Sequence, residues 1–73
     1  MSPRTSDIPL SVNGEPREVP ASTTLAEVVA TLSQAHSGVA AALNEAVVPR
    51  AEWPRTPLSA GDRIEILTAV QGG

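Results

Sequence analysis

Few residues in this chain belong to the types that do chemistry. There is no cysteine, and so no disulfide, thiolate metal ligand or thiol nucleophile. His36 follows a helical stretch and has Ser37 beside it, but no third group completes a triad. It reads as a solvated histidine favoured by the dipole at a helix C-terminus. Asp62 and Glu65 match no metal-ligand spacing and read as turn and surface residues; no metal site is expected. What remains is the end of the sequence, Gln71-Gly72-Gly73. Glycine loses more conformational freedom on ordering than any other residue, so a pair of them is a poor way to finish a sheet. Such an end suits a frayed terminus, a linker scar, or a tail that must thread somewhere narrow.

The elements that would carry this tail come from a small domain. A chain of 73 residues makes one core with no cleft between domains. Trp53 is its only aromatic residue, so the core must be built from Leu, Ile, Val and Ala. The five basic residues, Arg4, Arg17, Arg50, Arg55 and Arg63, are scattered in a chain of net charge −3, which argues against a nucleic-acid footprint. No apolar stretch is long enough for a membrane span, and "MSPRTSD" lacks the apolar run of a secretory signal, so a soluble, cytoplasmic protein is expected.

Met1 to Asp7 are polar and aperiodic and are expected to form a flexible leader. In "IPLSVNGEPREV", Ile8, Leu10 and Val12 alternate with Pro9 and Ser11, and Asn13-Gly14 is the dipeptide favoured in a two-residue type I′ hairpin turn. Pro16 cannot donate to a ladder, which places the second strand at a sheet edge. The period then changes: Leu25, Val28, Val29 and Leu32 share one face of a helix. Thr24 and Glu27 form a capping box at its start, and the helix should end near Gln34, with Gly38 available for a left-handed stop. "VAAALNEAVVPRAEW" reads as two short strands around a turn at Asn44-Glu45, with Leu43 and either Val47 or Val48 buried. Pro54 and Pro57 predict an irregular crossover from Arg50 to Ser59, which Trp53 would pin to the core. Finally "AGDRIEILTAV" predicts a turn at Gly61-Asp62. In the strand that follows, Ile64 and Ile66 face one way and Arg63, Glu65 and Leu67 the other. A helix on one face of a mixed sheet, with the last strand beside the first in the middle, is an α+β β-grasp, or ubiquitin-like, roll. The domain is expected over residues 8–70, with a flexible tail over 71–73.

The succession of "ALNEAVVPRAEW", "LSAGDRIEIL" and "TAVQGG" resembles the ThiS family of bacterial sulfur carrier proteins over nearly everything after Asp7. Neither the "GD" before an alternating strand nor the final "GG" is specific alone; their order, spacing and position carry the likeness. The leader before Ile8 is longer than the family needs, and Asn44-Glu45 stands at a turn where a glycine is common in relatives. The resemblance implies a protein cosubstrate, not an enzyme, that carries sulfur on its own end as a thiocarboxylate. An α-carboxylate, with a pKa of about 3.5, is ionised at neutral pH and can attack the α-phosphate of ATP. The resulting Gly73 acyl-adenylate would then be displaced by a persulfide or sulfide. Gly72 and Gly73, after Gln71, have no side chains to keep the backbone out of a narrow slot.

The partners so implied are a ThiF-like activating enzyme that uses ATP with magnesium, a ThiG-like thiazole synthase, and a sulfur donor such as a cysteine desulfurase persulfide. No bound cofactor, nucleic acid or membrane is expected. Arg63, Glu65, Leu67, Ala69 and Val70 are the candidate docking residues, since a tail leaving a central strand reaches an active site only if that end of the sheet approaches it. The alternatives are a carrier for molybdopterin, for cysteine or methionine, or for a specialised sulfur metabolite, and a ubiquitin-like interaction module. The small subunit of molybdopterin synthase shares the Gly-Gly end, but its relatives place an aromatic or proline-rich stretch before the tail, unlike "LTAVQGG".

Overall fold

Strands β1 (Asp7–Val12) and β2 (Glu15–Pro20) pair antiparallel in a computed structural model that describes residues 7–32 and 38–68. Their connection is the expected type I′ turn: Asn13 (φ 53°) and Gly14 (φ 85°) both take the positive φ that this turn demands. β1 begins at Asp7, opposite Pro20, one residue earlier than the alternation from Ile8 suggests. Residues 1–6, the helix end expected near Gln34, and His36 lie outside the described residues, as do Ala69, Val70, Gln71, Gly72 and Gly73.

Helix α1 (Leu25–Leu32) starts at the capping box. The Thr24 amide donates to Glu27 Oε1 at 3.1 Å, and the Glu27 amide donates back to Thr24 Oγ1 at 3.4 Å. Leu25, Val28 and Val29 are buried, whereas Leu32 is 36% exposed at the rim. Strands β3 (Val39–Leu43) and β4 (Ala46–Val48) then form a second antiparallel hairpin. Val48 lies opposite the buried Ala41 and so turns inward, which leaves Val47 78% exposed.

The segment read as an irregular crossover is regular over its first 6 residues. A 3-10 helix runs from Arg50 to Arg55 with Pro54 inside it. A proline removes only its own amide from a ladder, and its fixed φ is compatible with a 3-10 turn. The amides that bear the structure lie elsewhere: Glu52 donates to the Pro49 carbonyl at 2.8 Å and Thr56 to the Trp53 carbonyl at 3.2 Å. Trp53 is the expected anchor, 6% exposed, with its indole Nε1 donating to the Val48 carbonyl at 2.9 Å. Leu58, which the sequence pattern did not single out, is buried as well.

The last strand, β5 (Asp62–Thr68), enters from a turn in which Gly61 has φ 88° and Asp62 Oδ2 accepts from the Ser59 amide at 2.7 Å. It takes the middle of a five-stranded sheet of order β2-β1-β5-β3-β4, parallel to β1 and antiparallel to β3. The proline-bearing β2 forms one edge, as a strand unable to complete two ladders must. Leu10, Val12, Ile64, Ile66 and Ala41 point from the sheet into the core, where they meet Leu25, Val28, Val29, Trp53 and Leu58. The opposite face of the sheet carries no covering element among the described residues.

Candidate functional site at the end of the central strand

The alternation expected in β5 holds residue by residue. Ile64 and Ile66 are buried, while Arg63, Glu65 and Leu67 are exposed on the uncovered face. Register extends that face beyond the sequence-predicted residues, because Leu67 lies opposite Ala40, and Ala42 lies between Glu65 and Val47. Leu67, Ala40, Ala42 and Val47 thus form an apolar strip across β5, β3 and β4, with Leu67 and Val47 exposed by 67% and 78%. Sequence reasoning missed Ala40, Ala42 and Val47, since a strip across three strands depends on pairing that no single strand encodes. Arg63 Nη1 lies 3.6 Å from Glu45 Oε2; both side chains are mostly in solvent, where such a pair contributes little.

The two edges of β5 are secured differently. Toward β3, the ladder continues to the pair Val39 and Thr68. Toward β1, it stops at Val12 opposite Ile64, because the chain turns away at Asn13. The Asn13 amide donates to the Ile64 carbonyl at 2.8 Å. The Asn13 carboxamide then takes both backbone groups of Ile66: Oδ1 accepts from its amide at 2.9 Å, and Nδ2 donates to its carbonyl at 3.3 Å. Asn44 does a similar job where β5 begins. Its amide donates to the Arg63 carbonyl at 2.7 Å, its Oδ1 accepts from the Arg63 amide at 2.9 Å, and its Nδ2 donates to Asp62 Oδ1 at 3.0 Å. The sequence marks both asparagines as turn residues; nothing local signals that their side chains reach across to β5.

Among the described residues, no three His, Cys, Asp or Glu side chains cluster closely enough to hold a metal ion. No helix among the described residues is long and apolar enough to cross a membrane. An open groove of about 500 Å³ runs between β2 and α1, with Pro16, Arg17 and Val19 on one wall and Glu27, Val28 and Thr31 on the other. The arrangement at β5 can hold and present a strand end, with an apolar strip beside it.

A mixed sheet whose final strand runs in its middle between two hairpins, with one helix across a single face, defines an α+β protein of the β-grasp, ubiquitin-like class. The chain belongs to the ThiS family, whose model matches residues 10–73. It is 40% identical over 62 residues to the sulfur carrier protein ThiS of Thermus thermophilus, covering 85% of this chain and 95% of that one. To the sulfur carrier protein ThiS of Escherichia coli it is 31% identical over 61 residues, covering 84% and 92%. Among solved structures, it is similar to the thiamine biosynthesis protein ThiS from Geobacter metallireducens, with a TM-score of 0.74 and 32% identity, covering 90% of this chain and all of that one.

Proposed function

We propose that this chain is a sulfur carrier of thiamine biosynthesis, a protein cosubstrate rather than an enzyme, that works through the α-carboxylate of Gly73. The observation that carries this reading is the family match, which runs through Gly73, together with the likeness to relatives named as sulfur carriers over 95% and 92% of their length. A carboxylate oxygen of Gly73 attacks the α-phosphorus of ATP held with magnesium in a ThiF-like activating enzyme. Pyrophosphate leaves, and an acyl-adenylate remains. Hydrosulfide then forms a C–S bond at that carbonyl carbon as the bond to AMP breaks, leaving a thiocarboxylate. If the donor is a persulfide, as on a cysteine desulfurase, the product is an acyl disulfide whose S–S bond a thiol cleaves to the same thiocarboxylate. A ThiG-like thiazole synthase consumes the sulfur. These are the reactions of a cytoplasmic protein that needs no cofactor of its own.

Docking on the activating enzyme is assigned to the uncovered sheet face. Leu67, Ala40, Ala42 and Val47 supply apolar area there, Arg63 and Glu65 set register, and Ala69 and Val70 continue toward the tail. Gln71 leads to the slot, which Gly72 and Gly73 then enter as bare backbone. A Cβ at Gly73 would restrict φ and collide with such a slot. A displacement of about 1 Å from attack geometry costs on the order of 100-fold in rate. Gly73→Val is therefore expected to leave folding intact and to suppress ATP–pyrophosphate exchange by the cognate activating enzyme by about that factor. Exchange at the wild-type rate would overturn this reading.

A further inference from the structure

We infer that Asn13 is a positioning residue for activation: its carboxamide holds the outgoing end of β5 so that the tail leaves the sheet in one direction. This rests on the reading that Gly73 is the reacting residue. In a parallel ladder, the amide and carbonyl of alternate residues face the same neighbour. Ile64 faces β1 and is paired there, and the next residue of that parity is Ile66. Strand β1 has already turned away at that point, since Asn13 has φ 53°.

A carboxamide is the side-chain equivalent of a peptide group, with one carbonyl acceptor and an NH2 donor. Asn13 meets Ile66 with both, at 2.9 and 3.3 Å, and so prolongs β1 by one peptide without prolonging its backbone. The strand end is thereby held from two sides, at Ile66 by Asn13 and at Glu65 and Leu67, whose backbone groups face the other way, by pairing with Ala42 and Ala40 on β3. Without the carboxamide, the stretch from Ile66 to Thr68 would be held from the β3 edge alone. Ordering it would then have to be completed during docking, at a cost in affinity.

Asn44 provides the internal control. It sits at a turn with the same positive φ of 53° and bonds the same strand, but at Arg63, where β5 enters the sheet. A merely structural role for Asn13 predicts that the two asparagines behave alike. A positioning role predicts that only the one at the exit matters for activation.

The test compares Asn13→Gly with Asn44→Gly. Glycine keeps the positive φ of each turn and removes only the carboxamide. With the full chain, the cognate activating enzyme and ATP, Asn13→Gly is expected to raise KM for the carrier about tenfold with kcat nearly unchanged, the scale of one or two part-buried hydrogen bonds. Asn44→Gly is expected to leave KM within about twofold of wild type. Hydrogen exchange at the Ile66 amide should accelerate in Asn13→Gly and not in Asn44→Gly. An unchanged KM for Asn13→Gly, or an equal rise in both variants, would overturn the positioning role while leaving the carrier reading intact. If the wild-type chain supports no exchange with its activating enzyme, the carrier reading fails and this role fails with it. The Ile66 exchange rates then still report whether the clamp holds the strand.

Discussion

Asn13, Gly14, Asn44 and Glu45 occupy the left-handed region at two equivalent turns, with φ of 53°, 85°, 53° and 74°. Asparagine and glycine visit that region readily, whereas a glutamate there carries a steric penalty of about 1–2 kcal/mol. Its ion pair with Arg63 is too exposed to offset this. Glu45→Gly is therefore expected to stabilise the protein even though glycine gains entropy in the unfolded chain. The net gain should be about 0.5–1 kcal/mol, or roughly 3–7 °C in the midpoint of a thermal unfolding scan. A lower midpoint would mean that the ion pair outweighs the strain. The same change would leave the Asn44 clamp on Arg63 in place, because that clamp belongs to the preceding residue.

Among the elements, the 3-10 helix carries more of the fold than its length suggests. Trp53 closes one end of the aliphatic core, and Thr56, just beyond the helix, accepts at its carbonyl from the Leu25 amide at 3.0 Å. This carbonyl satisfies one of the amides that a helix N-terminus leaves open, so the two helices are tied at their ends as well as through packing. Trp53→Ala is expected to cost about 3–5 kcal/mol, comparable with the whole stability of a domain this small, and so to leave the chain largely unfolded at 25 °C. Trp53→Phe keeps an aromatic ring in the core, though a smaller one, and leaves the Val48 carbonyl without its indole donor, the lost bond alone costing about 1–3 kcal/mol. Urea unfolding followed by circular dichroism orders the variants; fluorescence cannot, since Trp53 is the sole intrinsic indole. A Trp53→Ala protein as stable as wild type would show that the crossover is not anchored there.

The molecule as a whole is two-faced. One side of the sheet is sealed by α1, the 3-10 helix and Leu58; the other presents Leu67, Ala40, Ala42 and Val47 beside Arg63 and Glu65. None of these outer-face residues belongs to the core or to the side chains packed against it, so binding and stability are separable there. Leu67→Asp and Arg63→Glu are each expected to weaken association with the activating enzyme about tenfold in Kd, by calorimetric titration, with unfolding midpoints within about 2 °C of wild type. Undiminished affinity in both folded variants would move the docking surface elsewhere, the groove between β2 and α1 being the next face to probe.

Whatever depends on neighbours within a few positions could be read from the residues alone. The type I′ turn is written in Asn13-Gly14, the helix start in Thr24 and Glu27, and the edge position of β2 in Pro16. The two faces of β5 are written in the alternation from Arg63 to Leu67, because each is a matter of local φ preference, capping or side-chain period. The family likeness was legible for the same reason, being carried by short stretches in a set order. The rest was set by how the strands pair and where the chain turns. Choosing between Val47 and Val48 required the register that sets Val48 against Ala41. The regularity of Arg50 to Arg55 depended on which amides the prolines spare. The reach of Asn13 to Ile66 spans 53 positions of chain and exists only because strand order places β1 beside β5 and ends it one pair too soon. A side chain that completes a ladder is chosen by the groups the backbone leaves open, and those are defined only once the sheet has formed.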